Sequence, residues 1–361
     1  MATTRRSGAW PRDRRHRAPG GKLRRRAGTV SVVAVALCVL SLLAGACAGP
    51  VQRSSTGPTH KARDVSSTRR STTTVAPTTV PPTTTTLAPT TTTTTVPPTT
   101  TTTVAEQPGW TIVSRTGPGI AVDERNFGYG DGAQVVVARF FAGRTRFDLH
   151  VGSEDPPTGS AAIPADAGPS VSATEVPLLL GGFNGGFKTG TGAGGFEVAG
   201  QVLLPLVSGM ASFVTDANGV GHVGVWGVSL PVAGEQVSGV RQNLPPLVAG
   251  SAPSPEIGNI GAWGATLGGG AQVARSAVGE DAEGNILYAG AMSALPIDLA
   301  NALIASGAVT AMELDINPEW VQLALAPGPG GPLSPGVPGQ NRPASQFLAG
   351  WTRDFVTVLS T

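Results

Sequence analysis

Beyond residue 108, apolar and polar positions alternate with a period of two along most of the chain, which predicts strands. In Gln134–Phe141 and Thr145–Val151, Val, Phe and Leu alternate with polar residues, and Ala142-Gly143 between them predicts a hairpin turn. Three further hairpins follow the same logic. Phe196–Val198 pairs with Val202–Leu206 through Ala199-Gly200-Gln201, and Ala211–Thr215 with Val220–Val225 through Asp216-Ala217-Asn218-Gly219. Val273–Val278 pairs with Ile286–Ala289 across Asp281-Ala282-Glu283-Gly284. One segment changes period: Leu299, Leu303 and Ile304 make a helical stripe, with Pro296 in its first turn, Ser293 as its expected cap and Gly307 as its stop. Val309–Ile316 then predicts a strand, Ala326–Pro343 a Pro- and Gly-rich loop region, and Gln346–Leu359 a closing strand. The expected class is α+β, with a mainly antiparallel sheet and few helices, and no internal repeat is visible.

The first 108 residues follow different rules. Residues 1–28 hold ten Arg or Lys against the single acid Asp13, and Thr29–Ala48 is an uncharged run of twenty residues. As a helix that run spans about 30 Å, the thickness of a bilayer core. The basic flank stays cytoplasmic by the positive-inside rule, so the rest of the chain is expected outside, at the cell membrane. Leu43-Ala44-Gly45-Ala46-Cys47 approximates a lipoprotein signal and Ala46-Cys47-Ala48 an ordinary cleavage site. The long basic flank and the length of the run favour an uncleaved anchor. Residues 49–108 form a linker, almost wholly Thr and Pro from Ser71 to Val104. That composition buries too little apolar surface to offset ordering entropy, so an extended tether is expected.

Residues 109–361 are then the working domain, of a length that suits one unit. From Gln107 onward the chain carries twenty acidic and ten basic residues, a net of −10, although the whole chain has a formal charge of +2. Nucleic acid is therefore excluded as a partner of the domain. Both cysteines, Cys38 and Cys47, lie in the apolar run, so the domain has neither disulfide nor thiol nucleophile.

Three segments carry candidate chemistry. Gly181–Gly195 packs glycines around Asn184, Lys188, Thr189 and Thr191, and Lys188 is the only lysine after the linker. Glycine frees backbone N–H groups to face an anion, and a lysine adds full charge, so Gly185, Gly186 and Lys188 are expected to bind an anionic ligand; a plain hairpin loop is the alternative. In Ala311–Trp320, alternation places Glu313, Asp315 and Asn317 on one face and Met312, Leu314 and Ile316 on the other. Two carboxylates on one face call for a cation, a substrate or a shared proton, so a divalent cation at Glu313 and Asp315 is an alternative to a cofactor-free site. Arg275, and similarly Arg241, offers a guanidinium fork for phosphate or carboxylate, or an internal ion pair. Trp226, Trp263, Trp320 and Trp351 can stack on sugars or fill the core. His150 and His222 lack metal-ligand partners in the sequence, and Gly190-x-Gly192-x-x-Gly195 leads into a strand rather than the helix a dinucleotide site needs.

Read in order, Phe183-Asn184-Gly185-Gly186-Phe187, then Arg275-Ser276-Ala277-Val278-Gly279 with its Glu283-Gly284 hairpin, the helix Ile297–Ser306 and the strand Ala311–Asp315 resemble the phosphodiester glycosidase family. The resemblance spans most of Gly181–Thr361. It implies hydrolysis between an anomeric carbon and a phosphodiester, releasing free sugar and a phosphomonoester, and it puts Asn184, Arg275 and Asp315 on motif positions. The family commonly reads Leu-Asp-Gly-Gly-Gly-Ser around the acid, where this chain has Leu314-Asp315-Ile316-Asn317-Pro318, so the glycine turn is replaced. On this reading Asp315 is nucleophile or base with Glu313 as its partner. Arg275, Lys188, Gly185 and Gly186 hold the phosphate, and Asn184, Arg241 and Asn317 complete the site. Truncating Arg275 is expected to cut turnover with little loss of fold. The expected partner is an anionic carbohydrate or glycopolymer at the cell surface, with no cofactor. A non-catalytic module binding wall glycopolymer, or an exopolysaccharide assembly factor, is the alternative.

Overall fold

The computed structural model describes residues 107–264 and 269–361; the basic tail, the apolar run and the linker up to residue 106 lie outside the described residues. Strands dominate, and the described residues hold two α-helices, Pro296–Ala305 and Gln346–Ala349. The expected α+β class with a mainly antiparallel sheet is the class observed.

The strands form three sheets. The largest runs, in spatial order, Thr111–Thr116, Gly119–Gly128, Gln134–Phe140, Ile286–Ala294, Val273–Asp281, Ala308–Glu313, Val248–Ala249 and Ala252–Pro253. A second is ordered Gln201–Leu204, Phe196–Val198, Val237–Gln242, Ala211–Asp216, Gly221–Val225. The third is Ser334–Pro335, Leu323–Leu325, Leu179–Asn184, Phe355–Ser360, Thr145–His150. One face of each sheet contributes to a shared core, with Phe140, Tyr288 and Met312 from the first, Phe196 and Phe213 from the second, and Phe147, Phe183 and Val356 from the third. Phe183 sits at its centre, its ring centroid 6.0 Å from that of Phe140, 6.1 Å from Phe213 and 5.3 Å from Tyr288. Aromatic pairs at these separations add to the hydrophobic term, which fixes the strand that ends in Asn184.

The helix Pro296–Ala305 covers the other face of the large sheet, with Leu299, Ala302 and Leu303 in one cluster with Val137, Leu287 and Ala289. Its start differs from expectation. Ser293 lies in the strand Ile286–Ala294, and the helix instead opens at Pro296, where the missing N–H leaves no unpaired donor. Asp298 accepts the Leu295 N–H at 2.8 Å and completes the turn.

Three of the four expected hairpins form. The fourth does not: Gln134–Phe140 pairs with Gly119–Gly128 and Ile286–Ala294, whereas Thr145–His150 pairs with Phe355–Ser360 in another sheet. Alternation reports which face is buried, not which strand is the neighbour. Both strands do face one core, and Phe140 and Phe147 meet edge to face at 6.0 Å. The segment expected as one closing strand divides at Gly350, whose φ of 108° ends the short helix Gln346–Ala349 before the strand Phe355–Ser360. Likewise the strand Ala308–Glu313 stops at Glu313, so Asp315 and Asn317 stand beyond its end.

Candidate functional site

Three strand ends meet at one place. Asn184 closes Leu179–Asn184, Arg275 and Ser276 lie in Val273–Asp281, and Asp315 follows Ala308–Glu313. Ser276 joins them. Its hydroxyl accepts from Asn184 Nδ2 at 2.9 Å and from the Asp315 N–H at 3.2 Å, and donates to the Asp315 carbonyl at 3.0 Å. The Asn184 oxygen in turn accepts from the Tyr288 hydroxyl and the Gln322 N–H, each at 3.0 Å. Asn184 is thus buried with both ends of its amide bonded inside the protein. It sets the backbone under Asp315 and does not line the cleft.

Arg275 is fully buried as well. It donates to Glu313 Oε1 at 2.7 Å and, at 3.1 Å each, to the carbonyls of Ala294, Trp263 and Ala271. The fork expected to meet phosphate therefore closes on the protein. Glu313 Oε1 takes that bond, while Oε2 has no hydrogen-bond partner among the described residues. Burial pushes the Glu313 carboxyl up to about 8, against the opposing Arg275 charge and with help from nearby Asp315.

Above this layer opens a cleft of about 550 Å³, lined by Phe187, Lys188, Leu244, Asp315, Ile316, Asn317, Trp320 and Arg353 among others. Asp315 Oδ1 accepts the Asn317 N–H at 2.9 Å, and Oδ2 lies 3.2 Å from Arg353 Nη2. Burial raises the Asp315 carboxyl to about 6; Arg353 and the Asn317 N–H pull it back, and the neighbouring Asp354 pushes it further up. Near neutrality it can both give and take a proton. Arg353 Nη2 also donates to the Gly186 carbonyl at 2.9 Å, its Nε sits 3.1 Å from Asp155, and its guanidinium carbon is 5.3 Å from the centroid of Trp320. Lys188 is exposed at the cleft with no ion-pair partner among the described residues.

The glycine-rich segment behaves differently from the anion cradle expected of it. Several of its N–H groups already have acceptors in the protein. Gly185 donates to the Asp354 carbonyl, Gly186 to the Asp354 carboxylate, Phe187 to Asn243 and Thr189 to Asp155. Gly185 and Gly186 serve close packing: a Cβ on Gly185 would lie 1.8 Å from Asp354 Oδ2, and one on Gly186 would lie 2.9 Å from Arg241 Cζ. Arg241 is buried in a 2.7 Å ion pair with Asp354 and also donates to the carbonyls of Phe187 and Gln242. It shapes the loop from beneath.

Of the expected residues, the structure brings Asp315, Asn317 and Lys188 to the cleft and sets Asn184, Gly185, Gly186, Arg241, Arg275 and Glu313 below or behind it. Arg353 was not singled out in the sequence. Its signal was a basic residue in an acidic domain, but it was hidden inside an expected strand. Glu313 Oε1 and both Asp315 oxygens face N–H donors or guanidinium groups, which leaves Glu313 Oε2 as the one carboxylate oxygen of the pair without such a partner among the described residues. Among the described residues no three His, Cys, Asp or Glu side chains gather as a metal set, and no helix is long and apolar enough to cross a membrane.

No protein-family model matches the chain, and no curated protein sequence matches it. Among solved structures, it is similar to a zebrafish N-acetylglucosamine-1-phosphodiester alpha-N-acetylglucosaminidase catalytic domain auto-inhibited by pro-peptide. The TM-score is 0.43 and the identity 14%, over 70% of this chain and 87% of that one. It is also similar to a hypothetical protein from Synechocystis, with a TM-score of 0.39 and 13% identity, over 68% of this chain and 63% of that one. Both are distant resemblances of fold and assign no activity or residue to this chain.

Proposed function

We propose that the domain is a hydrolase of sugar-1-phosphodiester bonds, with Asp315 as its general base. The observation that carries the reading is the side-by-side placement of Asp315 and Arg353, 3.2 Å apart, in a cleft that also holds Lys188, Phe187 and Trp320. A sugar ring suits the aromatic surfaces, and a phosphodiester suits the two cations. Cleavage at the anomeric carbon breaks the bond to the phosphate oxygen, and the bonding pair leaves with the phosphomonoester. Water forms the new bond to that carbon and gives its proton to ionised Asp315. The departing phosphate is a weak base, so cationic stabilisation by Arg353 and Lys188 replaces a strong general acid. Turnover should accordingly rise with pH through about 6, as Asp315 loses its proton.

The anchor and tether expected of residues 1–108 point to a surface glycopolymer or exopolysaccharide as the substrate. One observation favours the other reading, a recognition module. Glycosidases generally work with two carboxyl groups, and here only Asp315 lines the cleft while Glu313 is sealed below. The test is incubation of the full-length protein with a panel of sugar-1-phosphodiesters, measuring free reducing sugar. Release that Asp315→Asn abolishes supports the hydrolase; binding of wall polymer without release, and unchanged in Asp315→Asn, supports the module.

A further inference from the structure

One buried carboxylate has no part in the chemistry above. Asp155 is almost fully buried and is the second carboxylate, besides Asp315, within ion-pair distance of Arg353. Its Oδ2 lies 3.1 Å from Arg353 Nε, while Asp315 Oδ2 lies 3.2 Å from Nη2 of the same guanidinium. Both Asp155 oxygens also accept the Thr189 N–H, at 3.2 and 3.1 Å, one residue past Lys188. Its own backbone is fixed, since the Asp155 N–H donates to the Thr352 carbonyl at 3.0 Å, next to Arg353. A single carboxylate thus lies at ion-pair distance from Arg353, without a hydrogen bond to its Nε, and holds the backbone of the residue after Lys188.

We propose that Asp155 is a positioning residue that shares Arg353 with Asp315 and thereby keeps Asp315 able to hold a proton near neutrality. A guanidinium facing one carboxylate alone stabilises its ionised form strongly; the same guanidinium between two carboxylates is divided between them. Without the Asp155 charge, Arg353 would pair with Asp315 only, and Asp315 would become a weaker base. The other groups facing Asp315 are Asp354, which disfavours its charge, and the Asn317 and Ile316 N–H groups, which favour it; Glu313 stays protonated in this pH range, and Lys188 lines the same cleft. None of these touches Asp155, so its effect should run through Arg353.

This inference rests on the hydrolase reading only for its consequence, not for its test. The experiment is a carbon-13 NMR titration of the Asp315 carboxyl in the full-length protein, comparing wild type with Asp155→Asn. The amide keeps an acceptor for the Thr189 N–H and removes the charge. The Asp315 midpoint should fall by about one pH unit, the size expected for losing a like charge within a few ångströms of a shared partner. The lower limb of the pH dependence of kcat/KM should move down with it. A residue with a purely structural role would lower the unfolding midpoint and leave the titration in place. Should the amide prevent folding, Asp155→Ser, which leaves room for water beside Arg353 and Thr189, carries the same titration. An unmoved or raised Asp315 midpoint in a folded variant overturns the proposal. A lowered midpoint in a protein that hydrolyses no sugar phosphodiester upholds it and removes the hydrolase reading instead.

Discussion

The acids of two arginine–carboxylate pairs, Glu313 and Asp315, stand two residues apart along one segment, and the pairs have opposite fates. Arg275 and Glu313 meet at 2.7 Å with neither side chain reaching solvent. Arg353 and Asp315 meet at 3.2 Å on the surface of a cleft, and both keep an edge open to it. The difference comes from the backbone. Glu313 is the last residue of its strand and turns into the layer under the helix, whereas Asp315 follows the strand end and is held at the cleft through Ser276. Identical pair chemistry therefore yields a fastening in one case and a candidate catalytic centre in the other. A fully sealed pair is sensitive to the loss of one partner, and a buried pair that lines a cleft is sensitive to the loss of a charge state.

The widest separation of the two pairs should come from deletion. Arg275→Ala leaves Glu313 Oε1 and three buried carbonyls without their donor, and should destabilise the fold by about 3–5 kcal/mol. Urea unfolding measures this directly; a loss under about 1 kcal/mol would return Arg275 to the substrate-contacting role expected from the sequence. Asp315→Asn should do the reverse, lowering turnover by roughly 10²–10⁴-fold while the urea midpoint holds or rises, because the ionised carboxyl is disfavoured where it sits.

The pH dependence of stability sharpens the comparison further. The folded state keeps Glu313 protonated above its ordinary range, so between about 4.5 and about 8 the native protein binds more protons than the unfolded chain. Stability should therefore fall as pH rises through that window, with Asp315 adding to the fall at its lower end, up to about 6. Glu313→Gln should flatten the curve; an equally steep curve would show that another group carries the dependence. The smallest effect belongs to Lys188→Ala. This exposed cation should change KM for a phosphodiester by only a few-fold, and high salt should mask the change. An effect larger than that of Asp315→Asn would move the centre of the site to the loop.

Much of the fold was legible because alternation marks buried faces: three hairpins, the helix stripe and the antiparallel class follow from it. Strand partnership was not, since Phe140 and Phe147 face the same core from different sheets with only a turn between them. In the site, the residue types were visible and their depth was not. Asn184, Arg275 and Glu313 stand out in the sequence as polar or charged residues within strand segments, and their burial in a polar network keeps them from a ligand. The glycine-rich loop around Lys188 pointed to an anion; the anions it meets are the protein's own, Asp354 at Gly186 and Asp155 at Thr189. Arg353 gave little signal, because its place beside Asp315 depends on how the last sheet strand returns.

The decisive assay is release of free reducing sugar from a sugar-1-phosphodiester near pH 7, by wild type, Asp315→Asn and Glu313→Gln in parallel. With Asp315 as the base, wild type should release sugar, Asp315→Asn should lose nearly all of it, and Glu313→Gln should stay within a few-fold of wild type. Loss in Glu313→Gln with release retained in Asp315→Asn would contradict that role, and would place the chemistry in the sealed pair rather than the open one.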